Sequence, residues 1–166
     1  MAYYFIAKLD GATQTRMAGY YDVLRAEGLI GSQTKDIPYH FTLDDYDIAE
    51  ADEAALAAQM EEICAGTSQF DLRMDHLGLF GLRVLFLEPN VNFELLQLRR
   101  SFSPGDCGGA HRWAAHATVL LDEDPDAILR AIPLLARRFE PFIARVESVM
   151  LWEFPQKRLI KECYLQ

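Results

Sequence analysis

Two short stretches of this chain each carry a histidine and a threonine two positions apart. The first is His40-Phe41-Thr42-Leu43 and the second is His116-Ala117-Thr118-Val119. In a β-strand the side chains alternate between faces, so each histidine shares a face with its threonine while the apolar residues occupy the other face. If the two strands face each other, two imidazoles and two hydroxyls meet in one cleft.

These residue types suit acid–base chemistry. Histidine titrates near pH 6.5, so near neutral pH one imidazole can accept a proton while a second donates one. A threonine hydroxyl can donate a hydrogen bond to an oxygen on which negative charge builds up. A metal site made of His40, His116 and Asp44 or Asp45 is the alternative. It is disfavoured because no carboxylate occupies the matching position after the second motif.

The surrounding hydrophobic periodicity indicates the elements that must position the two motifs. The alternation of apolar residues predicts strands at 2–8, 39–46, 69–76, 83–87, 114–121, 143–153 and 157–165. Apolar stripes at helical spacing predict helices at 10–27, 49–65, 91–102 and 124–139. Pro133 lies inside the last of these and is expected to kink or split it.

The order strand, helix, His strand, helix, strand therefore occurs twice. This repeat predicts an α+β fold of one bilobal domain, 1–166, with lobes of about 1–80 and 81–166. We expect the lobes to be related by pseudo-twofold symmetry, with two mostly antiparallel sheets facing a central cleft. The His strands would then lie together at the centre.

Composition limits the classes of partner. The formal net charge is −9, there is no Lys/Arg block, and the longest charge run, Asp122-Glu123-Asp124, is acidic. Proteins that hold long nucleic acids rely on basic surfaces, so no extended nucleic-acid groove is expected. No apolar run is long enough to span a bilayer, so no membrane partner is expected.

The cysteines bear on the compartment. Cys64, Cys107 and Cys163 are odd in number and widely spaced. This spacing argues against a disulfide framework and a cysteine-rich zinc site, and it predicts a cytoplasmic protein.

The paired motifs resemble the signature of the 2H phosphoesterase superfamily. Its members include bacterial proteins called 2′-5′ RNA ligases and cyclic nucleotide phosphodiesterases. The resemblance extends to Tyr4-Phe5-Ile6-Ala7, which looks like the opening strand of the family, and to Gly78-Leu79-Phe80 with Arg83-Val84-Leu85-Phe86-Leu87, which look like its mid-chain segment. It covers nearly the whole chain.

The resemblance implies a set of catalytic residues and a reaction. His40, Thr42, His116 and Thr118 would open a 2′,3′-cyclic or similar cyclic phosphodiester on a small nucleotide or RNA end, with no metal and no cofactor. Two alternatives stay open, namely RNA 2′-5′ ligation and a non-catalytic module that binds a nucleotide or RNA end.

One departure from the family concerns phosphate binding. Many relatives carry a basic residue shortly after a motif, whereas Asp44-Asp45 and Leu120-Leu121-Asp122 follow the motifs here. Lys8, Arg83 and Arg112 are the candidates to replace that residue.

Other conspicuous side chains receive plainer interpretations. Phe86 and Trp113 are the predicted substrate platforms, together with Arg112 as a substrate-binding residue. His76 shares the apolar face of its strand with Phe70, Leu72 and Met74 and is expected in the core, and His111 is expected in a solvated loop.

Overall fold

The computed structural model describes residues 1–33, 35–103 and 113–166. The elements in this part of the chain, in order, are β1 (Ala2–Leu9), α1 (Gly11–Ala26), β2 (His40–Asp47), α2 (Glu53–Ala65), β3 (Phe70–Phe80), β4 (Val84–Asn90), α3 (Phe93–Phe102), β5 (Ala117–Leu121), α4 (Pro125–Ala136), β6 (Phe142–Phe154) and β7 (Arg158–Tyr164). The predicted α+β class is confirmed.

The helices begin where side-chain oxygens can satisfy free backbone N–H groups. Asp10, Asp52, Asn92 and Asp124 each precede a helix and accept a hydrogen bond from a first-turn N–H. Such caps stabilise a helix by about 0.5–2 kcal/mol. The last helix continues through Pro133 to Ala136, so the expected split is absent. Pro133 lies three residues before the end of the helix, so the backbone hydrogen bond that it cannot donate is one of the last in the helix.

The seven strands of the described part of the chain form one antiparallel sheet in the order β2-β1-β6-β3-β4-β5, with β7 also paired to β6. This differs from the predicted two sheets, because the 13-residue β6 joins both halves of the chain. Its residues Phe142–Val146 pair with β3, while Ser148–Glu153 pair with β7 along the same edge. The opposite edge pairs with β1. The two lobes and their pseudo-twofold symmetry stay a prediction.

The alternation of side chains in β1 divides the two faces of the sheet. Tyr3, Phe5, Ala7 and Leu9 are buried in the main core with residues of all four helices. The ring centroid of Phe5 lies 4.5 Å from that of Phe102 in α3. Burying a side chain of this size stabilises the fold by about 1.5–3 kcal/mol. The intervening residues of β1 are therefore left for the opposite face.

A β-bulge in β3 changes which residues face the core. Met74 is opposite Pro89 and His76 is opposite Glu88, so Asp75 is an extra residue on this strand. The phase of the alternation shifts there, and His76 is exposed while Leu77 packs against the core. The prediction of a core histidine at position 76 is therefore wrong.

In the described part of the chain, no helix is long and apolar enough to cross a membrane. Cys64 and Cys163 are free thiols. Cys107 lies outside the described residues.

Candidate active site

The two His-x-Thr strands lie at the two ends of the sheet order and yet approach each other. β2 and β5 are edge strands that share no ladder, but Cα atoms of the two come within 8 Å. The sheet must therefore curl until its edges meet. The indole Nε1–H of Trp113 donates to the carbonyl of Thr42 at 2.9 Å, and the N–H of Leu121 donates to Oε1 of Gln33 at 3.1 Å. These bonds connect the segments around the two strands.

The two imidazoles are held by the same kind of hydrogen bond. Nδ1–H of His40 donates to the carbonyl of Pro38 at 2.7 Å, and Nδ1–H of His116 donates to the carbonyl of Ala114 at 2.8 Å. A carbonyl oxygen can only accept, so Nδ1 carries the proton in both rings. Nε2 is then the atom of each neutral ring that can take up a proton.

The protein holds His40 in its neutral form at neutral pH. Burial lowers the pKa of His40 to about 4, against the opposing effect of the hydrogen bond to Pro38, and repulsion from His116 lowers it further. The last effect means that the two rings interact electrostatically. A nearby anion would favour the protonated ring and would therefore oppose this lowering of the pKa.

A cavity of about 800 Å³ lies beside these groups. Its wall contains His40 and Thr42 from β2 and Thr118 from β5, so three of the four predicted catalytic residues line one space. His116, two residues before Thr118, is half-buried. Its ring centroid lies 4.7 Å from that of Phe80 and 5.2 Å from that of Phe86.

Two phenylalanines surround the ring of His116. Phe86 is only 4% exposed, and a Cβ atom on Gly78 would lie 2.2 Å from its ring, so glycine at 78 makes room for it. Phe80 meets His116 edge-on and is 40% exposed. Phe80 is thus an accessible aromatic residue at the site that the sequence reasoning did not single out, although it lies within the segment that resembles the family.

The other predicted substrate residues have different surroundings. The indole N–H of Trp113 donates to the carbonyl of Thr42, and the guanidinium of Arg99 lies 5.1 Å above the indole ring. Its indole therefore helps to hold β2 in place. Arg112 and His111 lie outside the described residues.

Of the candidate phosphate-binding cations, Lys8 and Arg83 are paired with carboxylates. Lys8 lies opposite His40 on β1, but its ammonium is 3.0 Å from both Glu147 and Glu162. Arg83 is paired with Glu123. Lys35 is exposed and lies in the wall of the cavity. No sequence pattern pointed to Lys35, because it belongs to a loop without periodicity.

Among the residues that the structure describes, carboxylates do not complete a metal site with the histidines. Within residues 1–33, 35–103 and 113–166, no three His, Cys, Asp or Glu side chains are grouped so that they could hold a metal ion. The alternative of a site made of His40, His116 and Asp44 or Asp45 therefore has no support from the geometry.

Solved structures with the same fold include two proteins of known source. TT0787 of Thermus thermophilus superposes with a TM-score of 0.68 at 16% identity, covering 99% of this chain and 98% of that protein. LigT of E. coli in its apo form gives a TM-score of 0.67 at 18% identity, covering 99% and 97%. The complex of LigT with 3′-AMP gives 0.63 at 19% identity, again covering 99% and 97%. At these identities the likeness shows the fold.

None of the curated proteins matches this chain. A family model matches residues 17–158, which is most of the chain, and it describes the 2′-5′ RNA ligase superfamily. In agreement with the resemblance to 2H phosphoesterases, this chain belongs to the 2′-5′ RNA ligase superfamily.

Proposed function

We propose that the protein is a metal-independent phosphoesterase that opens a 2′,3′-cyclic phosphodiester on a small nucleotide or RNA end. His40 and His116 are the acid–base pair, Thr42 and Thr118 assist them, and no cofactor takes part. The observation that carries the proposal is the matched anchoring of the two imidazoles. Each Nδ1–H is bound to the carbonyl two residues earlier, at the start of β2 and directly before β5, and the threonines of these two strands line one cavity.

The reaction needs one proton acceptor and one proton donor. Water attacks the phosphorus and gives a proton to Nε2 of the neutral imidazole. The bond from phosphorus to one ribose oxygen breaks, and that oxygen takes a proton from Nε2 of the protonated imidazole. The product is a phosphomonoester with a free hydroxyl. In the reverse direction the two rings exchange roles, and each acid–base step is worth roughly 10²–10⁴-fold in rate.

The threonines and the neighbouring loop bind the phosphate. The hydroxyls of Thr42 and Thr118 face the cavity from opposite strands and can donate to the non-bridging oxygens. Lys35 contributes a positive charge from the wall.

The net charge of the protein and the ligands of a solved relative both support a small ligand. LigT has been crystallised with 3′-AMP and with ATP, which supports a small nucleotide as ligand in this fold. The net charge of −9 argues against extended contact with RNA. RNA 2′-5′ ligation is the second candidate because of the description of the family, and it would join RNA ends at the same imidazoles.

The test is turnover of a panel of nucleoside 2′,3′-cyclic phosphates in the presence of EDTA. His40→Asn and His116→Asn should each lower kcat by roughly 10²–10⁴-fold, because each removes a group that transfers a proton. His76→Asn, at an exposed histidine, is the matched control and should keep full activity.

Three outcomes would contradict the proposal. Binding without turnover would identify a non-catalytic module. Turnover that requires added zinc would restore a metal mechanism. Joining of RNA ends without hydrolysis of the cyclic phosphates would favour the ligase.

A further inference from the structure

The cavity extends well beyond the histidines along one face of the sheet. Lys8 is opposite His40 and Ile6 is opposite Thr42, so β1 continues the face that carries the catalytic side chains. Tyr4 lies on the same face and in the same wall. Lys8 and Tyr4 are four positions apart along the strand, which is about 13 Å. This length and a volume of about 800 Å³ suit a ligand much larger than a phosphate group.

The far part of the wall is apolar and aromatic. Ile37, from the loop before β2, packs against Ile6 on this face of the sheet. Beyond them the rings of Tyr4 and Phe154 meet edge-on, with centroids 5.0 Å apart. Walls of this kind favour a flat, uncharged ring, which they can contact through its face or edge.

Carboxylates lie near the aromatic end of the cavity. A bulge leaves Leu43 as an extra residue of β2, which brings Asp45 opposite Tyr4 in place of Asp44. Asp45 is exposed and raises the pKa of the Tyr4 hydroxyl, in addition to the larger effect of burial. Asp36 lies in the wall itself, and Lys35 is the one cation among the described lining residues. A second phosphate at this end would face carboxylates, whereas a base that donates hydrogen bonds would be accepted.

From this arrangement we infer that the substrate is a nucleoside cyclic phosphate with no second phosphate, its base lying between Ile37 and the Tyr4–Phe154 pair. The inference rests on the proposed function, since it assumes that the cyclic phosphate is held at His40 and His116. It adds a subsite for the base and a discrimination against substrates that carry further phosphate groups.

Three substrates separate the contributions. They are adenosine 2′,3′-cyclic phosphate, the same nucleotide with a 5′-phosphate, and methyl riboside 2,3-cyclic phosphate, which has no base. Phe154→Ala should lower kcat/KM for the adenosine substrate about tenfold or more, because stacking on an aromatic ring is lost. It should leave the substrate without a base within about twofold. Ile37→Ala should have the same selective effect and serves if Phe154→Ala does not fold.

Two further variants test the discrimination against a second phosphate. Asp45→Asn should raise kcat/KM for the 5′-phosphorylated substrate several-fold relative to the unphosphorylated one. Asp44→Asn, one residue away and not opposite Tyr4, is the matched control and should leave that ratio unchanged.

Failure of the subsite is distinguishable from failure of the proposed function. Equal losses on substrates with and without a base, or a selective loss in Phe80→Ala but not in Phe154→Ala and Ile37→Ala, would overturn the subsite. An unchanged ratio in Asp45→Asn would overturn the charge discrimination. In each case the proposed function is retained if the protein turns over the substrate without a base and if His116→Asn abolishes that turnover. If none of the three substrates is opened, the proposed function itself fails.

Discussion

The chemistry proposed for this protein depends on how two imidazoles are solvated. His40 loses much of its hydration and keeps one hydrogen bond, from Nδ1–H to Pro38, so that its pKa falls to about 4. The neutral ring is therefore the stable form in the absence of ligand. A phosphodiester anion beside it would favour the protonated ring. The site thus couples the binding of an anion to the uptake of a proton.

The depressed pKa of His40 predicts a loss of stability at mildly acidic pH. Between about pH 6.5 and pH 4 the unfolded chain binds a proton at this residue and the folded chain does not. The free energy of unfolding is therefore highest above this range and falls as the pH is lowered through it. His40 alone should contribute a fall of about 2 kcal/mol between pH 7 and pH 4.5. Urea denaturation of the wild type and of His40→Asn at both pH values measures it.

The comparison with His40→Asn isolates this residue from the carboxylates. Asp10, Asp71 and Glu162 also have lowered pKa values and lose their contribution in acid, but they do so equally in both proteins. We expect the wild type to lose about 2 kcal/mol more than the variant. A difference between the two proteins that does not change with pH would show that His40 titrates normally.

At the scale of the elements, the position of His40 is set from outside its own strand. Gln14 of α1 donates from Nε2 to the carbonyls of Leu9 and Tyr39, at 3.0 and 2.7 Å. The N–H of Tyr39 donates to Oε1 of Gln14 at 2.8 Å. One amide therefore satisfies both backbone groups of the residue before His40 and ties the start of β2 to the end of β1. Gln14 is a positioning residue for the imidazole.

Replacing Gln14 tests this role. In Gln14→Ala, the N–H of Tyr39 loses its partner and the carbonyl of Tyr39 keeps only the bond from the N–H of Leu9, at 3.3 Å. This should cost about 1–3 kcal/mol of stability. We expect kcat to fall roughly tenfold or more, with a smaller change in KM, because the imidazole moves away from the proton that it transfers. The pKa of His40, followed by NMR, should rise toward 6.5 as water enters. Thr15→Ala, at an exposed neighbour bonded only to its own helix, is the control. A loss of stability with an unchanged kcat and an unchanged His40 pKa would refute positioning.

The elements themselves were largely predictable, because both periods of side-chain alternation are visible in the sequence. Phe41 and Thr42 fall on opposite faces of β2 as the pattern requires, and Phe41 is fully buried. The bulges were not predictable, since one extra residue reverses the alternation without any mark in the composition. This is why His76 is exposed, and why Asp45 rather than Asp44 lies opposite Tyr4.

Over the whole molecule, the candidate site depends on pairings between distant parts of the chain. The similarity of the two halves suggested separate sheets, but β6 pairs with both β1 and β3 and joins them. No local sequence pattern indicates that these strands pair. The proximity of the two histidines could be expected only from the repeat and from the family resemblance. The cavity wall, including Lys35 and Ile37 from an aperiodic loop, required the folded structure.

Net charge is also a property of the whole molecule, and it bears on the size of the substrate. A protein of charge −9 repels anions at long range, and an oligonucleotide carries more charge than a mononucleotide with the same cyclic end. At about 10 mM salt the Debye length is about 30 Å, so the repulsion extends across the surface, whereas at about 150 mM the Debye length falls to about 8 Å.

We therefore expect the ratio of kcat/KM for a short oligonucleotide to that for the mononucleotide to be below one at low salt, and to rise as NaCl is added. Because both substrates present the same cyclic phosphate to His40 and His116, effects of salt on the chemistry cancel in the ratio. A ratio that falls steeply with salt would instead indicate release of counterions from an extended groove, and would contradict a ligand held only at the cavity.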